Sequence, residues 1–253
     1  MNSKSLFISV IIAKIFIIFI SLFLWSSCRN NSDDEEIKTN YLTSAKYNFN
    51  NNLKAEAIKY CDKALTIDSL YKEALFLKIL SMDGLKKYDD YLNNLNKLLR
   101  IDSLHYDGYL YRAEYFMNSQ EYSSSINDYK KAITIEPKNE LAFALLGNCY
   151  NAMEEKDSAL YYFNKCIQIN PNSPFGYNQR GGFFFTNMEF KKAYDDLTHS
   201  VSLDSTDAYP LYNLGVLKYS IQKKYDEGCA DMKKAFELGY AGSKDFYEQR
   251  CVK

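Results

Sequence analysis

The sequence predicts an all-α fold built as a repeat array, an α-solenoid, and three observations carry that prediction. Proline and glycine are scarce, at 4 and 10 of 253 residues, while 47% of the chain is hydrophobic. Few breakers and many apolar residues favour long helices over a turn-rich sheet. From Ile37 onward, one pattern returns with a period of about 34 residues, and a fixed period of that length is the mark of stacked supersecondary units. Small residues also keep the same step, as a close and repeated helix crossing would require.

The chain opens on MNSKS, with one positive charge at Lys4, and continues into an apolar run from Leu6 to Trp25 that Lys14 interrupts. In a permanent spanning helix Lys14 would lie near the middle, where a charge costs roughly 2.5–3.5 kcal/mol. The uninterrupted part runs only from Ile15 to Trp25. That is short for a span but fits the apolar region of a secretory leader. Ser26, Ser27 and then Cys28 follow. The stretch resembles a bacterial lipoprotein signal with its lipobox, although Trp25 stands where leucine is usual. The resemblance implies that residues 1–27 are removed and that Cys28 becomes residue one, carrying acyl chains, palmitate among them. Several acyl chains anchor a protein stably where one is marginal. The same resemblance implies a lipid-anchored protein of the bacterial cell envelope, at the outer membrane, with the face undecided. An uncleaved anchor, or an ordinary leader with an incidental cysteine, are the alternatives.

Residues 28–37 are expected to form a disordered tether beyond the anchor. Asn30 to Glu36 is polar, charged and poor in apolar residues. The run SDDEE, Ser32 to Glu36, resembles the acidic surface-export signal of some Gram-negative lipoproteins. It reads equally well as a plain solvated linker.

The repeat occupies the rest of the chain. It is plainest in AEAIKYCDKALTIDS from Ala55, YSSSINDYKKAITIEP from Tyr122, DSALYYFNKCIQINP from Asp157 and KKAYDDLTHSVSLDS from Lys191. Ala57, Tyr91, Ser125, Ala159 and Ala193 are separated by one constant step, and Ala64, Leu98, Ala132, Cys166 and Ser200 keep the same step. Pro137 and Pro171 close two repeats, and Ser69, Ser103 and Ser205 take that place in others. The pattern resembles the tetratricopeptide repeat (TPR), a helix–turn–helix unit with a small residue in helix A, an aromatic three residues on, a small residue in helix B and a closing proline. The small helix A residues are Ala45, Ala113, Gly147, Gly181 and Gly215, with Ile79 departing; the aromatic appears as Phe116, Tyr150 and Phe184. The resemblance implies a right-handed α-solenoid of about six repeats over residues 38–241: 38–71, 72–105, 106–139, 140–173, 174–207 and 208–241. The sixth carries one extra residue between Gly215 and Gly228. Residues 242–253 then read as a capping helix, since a terminal repeat must cover its neighbour's exposed face.

Little in the sequence points to chemistry. The two histidines, His105 and His199, are far apart, and no phosphate loop, nucleophile elbow or cysteine pair at metal-ligand spacing occurs. No cofactor, no metal and no enzymatic activity are expected. A net charge of −1 and a pI of about 6.2 exclude the global basic field that nucleic-acid binding requires. Gly181 and Gly182 both read as close-crossing residues. Arg112 and Arg180, at matching positions, read as a shared packing feature with wet heads. Cys61, Cys149 and Cys166 read as small buried apolar residues. Cys229 and Cys251 differ: with a turn near Gly239 they lie at nearly equal distances either side of it, and so at nearly one height in an antiparallel hairpin. An exported protein permits a disulfide between them.

By the same resemblance, function lies in the concave surface lined by helix A. Its expected positions in the last three repeats are Asn148 and Asn151, then Asn178 and Phe185, then Tyr209, Tyr212, Val216 and Tyr219. Lys46, Phe76, Asp107 and Glu114 are the earlier ones. The lysine–asparagine clamp that some family members use for a peptide carboxylate is not reproduced, because Ala144 stands four before Asn148. The implied function is a membrane-anchored protein–protein interaction scaffold that holds a partner protein or peptide in this groove. The alternatives are a glycan- or small-molecule-handling envelope lipoprotein, or a non-catalytic subunit of an envelope enzyme complex. The cap helix is a rival for the tyrosine stripe.

Overall fold

A computed structural model describes residues 32–84 and 90–252. The leader, Cys28 and the first residues of the tether lie outside the described residues. Within them all regular structure is helical, and no helix is long and apolar enough to cross a membrane. The chain divides into two compact units, Met1–Gly108 and Tyr109–Lys253.

The first unit holds α1 over residues 32–50, α2 (Lys54–Ile67), α3 (Lys72–Gly84), α4 (Tyr91–Ile101) and the start of α5 (Tyr106–Asn118). Its core joins Leu42 and Ala45 to Cys61, Ala64, Ala74 and Leu77. The expected disordered tether is corrected here, because the chain is already helical at residue 32. Asp33, Asp34, Glu35 and Glu36 lie at the N-terminal end of the described helix, where carboxylates meet the positive end of the backbone dipole. Lys38 anchors this turn by bridging Glu35 at 2.8 Å and Asp68 at 2.7 Å. One repeat on, Lys72 meets Asp102 at 3.2 Å.

The second unit continues with α6 (Tyr122–Ile135), α7 (Glu140–Ala152), α8 (Lys156–Ile169), α9 (Pro174–Thr186), α10 (Phe190–Leu203), α11 (Ala208–Val216), α12 (Tyr225–Glu237) and α13 (Ala241–Arg250). The helix starts at Lys72, Tyr106, Glu140, Pro174 and Ala208 keep the period of the sequence without slippage. Asn139, Ser173 and Asp207 keep that step too. Each accepts a hydrogen bond from the backbone N–H two residues on, and so caps α7, α9 or α11.

Small residues set how closely each helix pair crosses. A Cβ added at Gly147 would come within 2.8 Å of the Phe163 ring, and one at Gly181 within 2.9 Å of Leu197. At Gly215 it would meet the Gly228 carbonyl at 3.0 Å, so two glycines face each other there. Gly182 departs from the expectation, since a Cβ there meets nothing within 4 Å. Successive helical residues are turned by about 100°, so only Gly181 can face α10. The extra residue of the sixth repeat is absorbed after Gly215 by a π-helical turn, Leu217–Ile221. A wider turn is how a helix takes in one residue without losing its far partner.

Charged pairs lock these crossings. Arg112 donates from Nε and Nη2 to Asp128 at 2.7 Å each, and Arg180 donates likewise to Asp196 at 2.7 and 2.8 Å. Both aspartates are buried, at 4% and 8% exposure, so the guanidinium heads are bound rather than wet. In the sixth repeat Lys218 holds Asp231 at 2.7 Å. At the far end Cys229 and Cys251 form a disulfide with Cα atoms 5.5 Å apart, tying the end of α13 to α12.

The turn between helices A and B uses left-handed backbone at Asn52, Gln120, Glu154, Met188 and Lys223, with φ between 59° and 62°. Side chains carry a cost of about 1 kcal/mol or more in that region. Met188 is 77% exposed and contributes little packing in return. Met188→Gly is therefore expected to raise stability by about 0.5 kcal/mol after the extra freedom of the unfolded chain is counted. Met188→Val should lower it, and denaturant midpoints of the two variants check the sign. For the ion pair, Arg180→Met is expected to cost about 3 kcal/mol by stranding a buried carboxylate. Adding Asp196→Leu should recover most of that loss in the same unfolding measurement. An equal loss in the double variant would assign the effect to packing.

Candidate functional site

Residues three, four and seven apart on a helix share a face. On α7 that face carries Asn148 and Asn151, and on α9 it carries Asn178, Gly182 and Phe185. On α11 and its π-turn it carries Tyr209, Tyr212, Val216 and Tyr219. Gly182 follows Asn148 by one period and precedes Val216 by another, so it occupies a face position that the sequence reading passed over.

Amides join the first two helices. Asn148 Nδ2 donates to Gln179 Oε1 at 3.1 Å, and Asn187 Nδ2 donates to Asn151 Oδ1 at 3.3 Å. Asn187 also donates to the Phe183 carbonyl at 2.9 Å, which fixes its rotamer. Neither Gln179 nor Asn187 was singled out by sequence, because only their partners across the helix pair give them a role. Asn178 is 4% exposed, and its Oδ1 is buried with no hydrogen-bond partner. Such an acceptor is costly to leave unpaired. Phe185 is half-buried and packs edge-on against Phe190, so it belongs partly to the core.

The tyrosine stripe is divided. Tyr219 lies edge-on to Tyr225 and to Phe246 of α13, with centroids 4.9 and 5.3 Å away, so the cap covers the end of the stripe. Tyr209 and Tyr212 instead flank Tyr240, at 5.7 and 4.9 Å. Tyr209 keeps 42% of its surface exposed, and Val216 is half-buried. Of the earlier positions, Phe76 rests against the His105 ring at 4.6 Å, while Lys46, Asp107 and Glu114 are exposed.

The face is electrically neutral. On α7, α9, α11 and the π-turn the charged residues are Glu140, Arg180 and Lys218. Glu140 accepts from Ser173 Oγ at 2.6 Å, and the two cations are held by Asp196 and Asp231. None of these charges is left over for a ligand on the amide-lined surface. Nucleophilic chemistry finds little support. Burial pushes the Cys61 and Cys166 thiols up to about 12, and both are enclosed. His199 is exposed and edge-on to Tyr177 at 4.3 Å. Among the described residues no cluster of three or more His, Cys, Asp or Glu side chains is placed to hold a metal.

Known proteins resemble the chain mainly in fold. Residues 141–173 match the tetratricopeptide repeat family. No curated protein sequence matches the chain. A tetratricopeptide repeat protein from Parabacteroides merdae superposes with a TM-score of 0.71 at 19% identity, covering 83% of each chain. Pseudomonas aeruginosa pilF superposes at 0.64 and 17% identity, covering 86% of this chain and 99% of that one. A chain of the Cut9–Hcn1 hetero-tetramer of the APC/C superposes at 0.67 and 14% identity over 86% of this chain, which spans 43% of that chain's length. The matched repeat and the helix pairs that recur around it place this chain among the tetratricopeptide repeat proteins.

Proposed function

We propose that the protein is a lipid-anchored interaction scaffold of the bacterial cell envelope, at the outer membrane, which holds a segment of a partner protein on the face of α7, α9 and α11. The observation that carries this reading is the face itself: a continuous run of amides and aromatic rings with its neighbouring charges committed elsewhere. Amide side chains satisfy backbone groups of an extended segment, and aromatic rings supply contact area at low entropic cost. The repeat fold supports a binding role over turnover, since its stacked helices present long surfaces rather than enclosed pockets. Anchoring rests on the leader-like run ending at Ser27 and on Cys28.

Two experiments test the parts separately. A photo-crosslinking residue placed at Asn151 in cells should give a discrete adduct with a partner protein, and Tyr212→Ala should remove it. The same probe at Tyr161, exposed on α8, should give none. An adduct that forms equally from both sites, or from neither, would defeat the proposed face. For the anchor, Cys28→Ala is expected to move the protein from the membrane fraction to the soluble one and to abolish metabolic labelling with palmitate. Retention of the variant in membranes with its leader attached would mean an uncleaved anchor.

A further inference from the structure

Asn178 and Gly182 are one turn apart on α9 and point the same way. Asn178 Oδ1 is a buried acceptor without a donor. Gly182 opens a notch beside it, since nothing lies within 4 Å of where its Cβ would be. These are two departures from good folding at one place. A helical glycine costs stability relative to alanine unless close packing demands it, and here no packing does. An orphaned buried acceptor is likewise a cost without a structural return. Asn148 and Asn151 on the neighbouring helix are both engaged with amides of the α9 segment, so they brace this spot rather than fill it.

We infer that the notch over Gly182 is where the backbone of an uncharged, extended polypeptide segment comes closest to the protein, with one of its N–H groups donated to Asn178 Oδ1. The inference rests on reading this face as the binding surface and specifies what that surface selects. A missing Cβ admits a backbone that any side chain would hold off. The single unpaired group is an acceptor, so it calls for a donor and offers nothing to a carboxylate. Charge complementarity points the same way. Glu140, Arg180 and Lys218 are all paired, so a charged side chain seated here would lose hydration and gain no counter-charge. The partner is accordingly a neutral stretch of protein rich in polar and apolar side chains, not an acidic tail or a basic one.

The test separates stability from binding. Gly182→Leu fills the notch without meeting any neighbour in the free protein, and Asn178→Leu removes the orphaned oxygen. Both are expected to melt no lower than the natural chain. The probe is a phage-displayed library of random dodecapeptides panned on the purified full-length chain in detergent. Enriched peptides should lack charged residues at their shared positions, and their affinity should change little with added salt. Each variant should weaken their binding by about ten-fold or more, the loss expected for one well-made hydrogen bond or a blocked approach. Enriched peptides that share a fixed acidic or basic residue, or that bind Gly182→Leu as tightly as the natural chain, overturn the inference. If such peptides still lose binding to Tyr212→Ala, the face remains the binding surface and only the notch is wrong. If no peptide is enriched, or if binding ignores every change on the face, the notch and the binding face both fall.

Discussion

Much of this structure depends on how closely helices A and B cross within each repeat. Gly147, Gly181 and Gly215 leave no room for a Cβ against Phe163, Leu197 and Gly228. Ala45 and Ala113, at the same step, are wholly buried. Once that contact is fixed, the helical turn decides where every neighbour points. Gly181 faces the partner helix, and the next residue, Gly182, must face away. The sixth repeat shows how strict the constraint is. Its crossing glycines are one residue further apart than elsewhere, and the chain forms the π-turn Leu217–Ile221 rather than give up the Gly215–Gly228 contact.

The same geometry accounts for the charge pattern. A long cation placed one residue before the crossing residue reaches an aspartate on helix B, as Arg112 reaches Asp128 and Arg180 reaches Asp196. Bidentate contact gives these pairs direction as well as energy. It also has a consequence for binding, because every cation so used is withdrawn from the inner face. What remains there is neutral: amides between α7 and α9, and rings toward α11. Stability and selectivity thus share one arrangement of side chains.

The end of the chain is shaped by a different need. A terminal repeat presents a face that has no following repeat to cover it. Here α13 supplies the cover, held by the Cys229–Cys251 disulfide and by Phe246 against Tyr219. The cap therefore ends the tyrosine stripe before it can serve a ligand, while Tyr209 and Tyr212 stay at its margin beside Tyr240.

The period, the helix starts and the small crossing residues were legible in the sequence, because steric exclusion at a repeated contact leaves a repeated residue choice. The disulfide partners were legible for a related reason, since nearly equal distances from one turn set their heights. The helical first turn at Ser32–Glu36 was hidden, because its composition reads as a solvated tether and its support comes from Asp68, one helix hairpin away from Lys38. The binding of Arg112 and Arg180 was hidden in the same way, since sequence spacing says nothing of which aspartate a flexible side chain will reach. Asn178 and Tyr219 shared one expected role, and packing separated them into an unpaired amide and a covered ring. Periodicity by itself determined which residues face inward. Only the tertiary structure decided which of those were already taken, because satisfaction of a polar group or a ring depends on partners that lie far away along the chain.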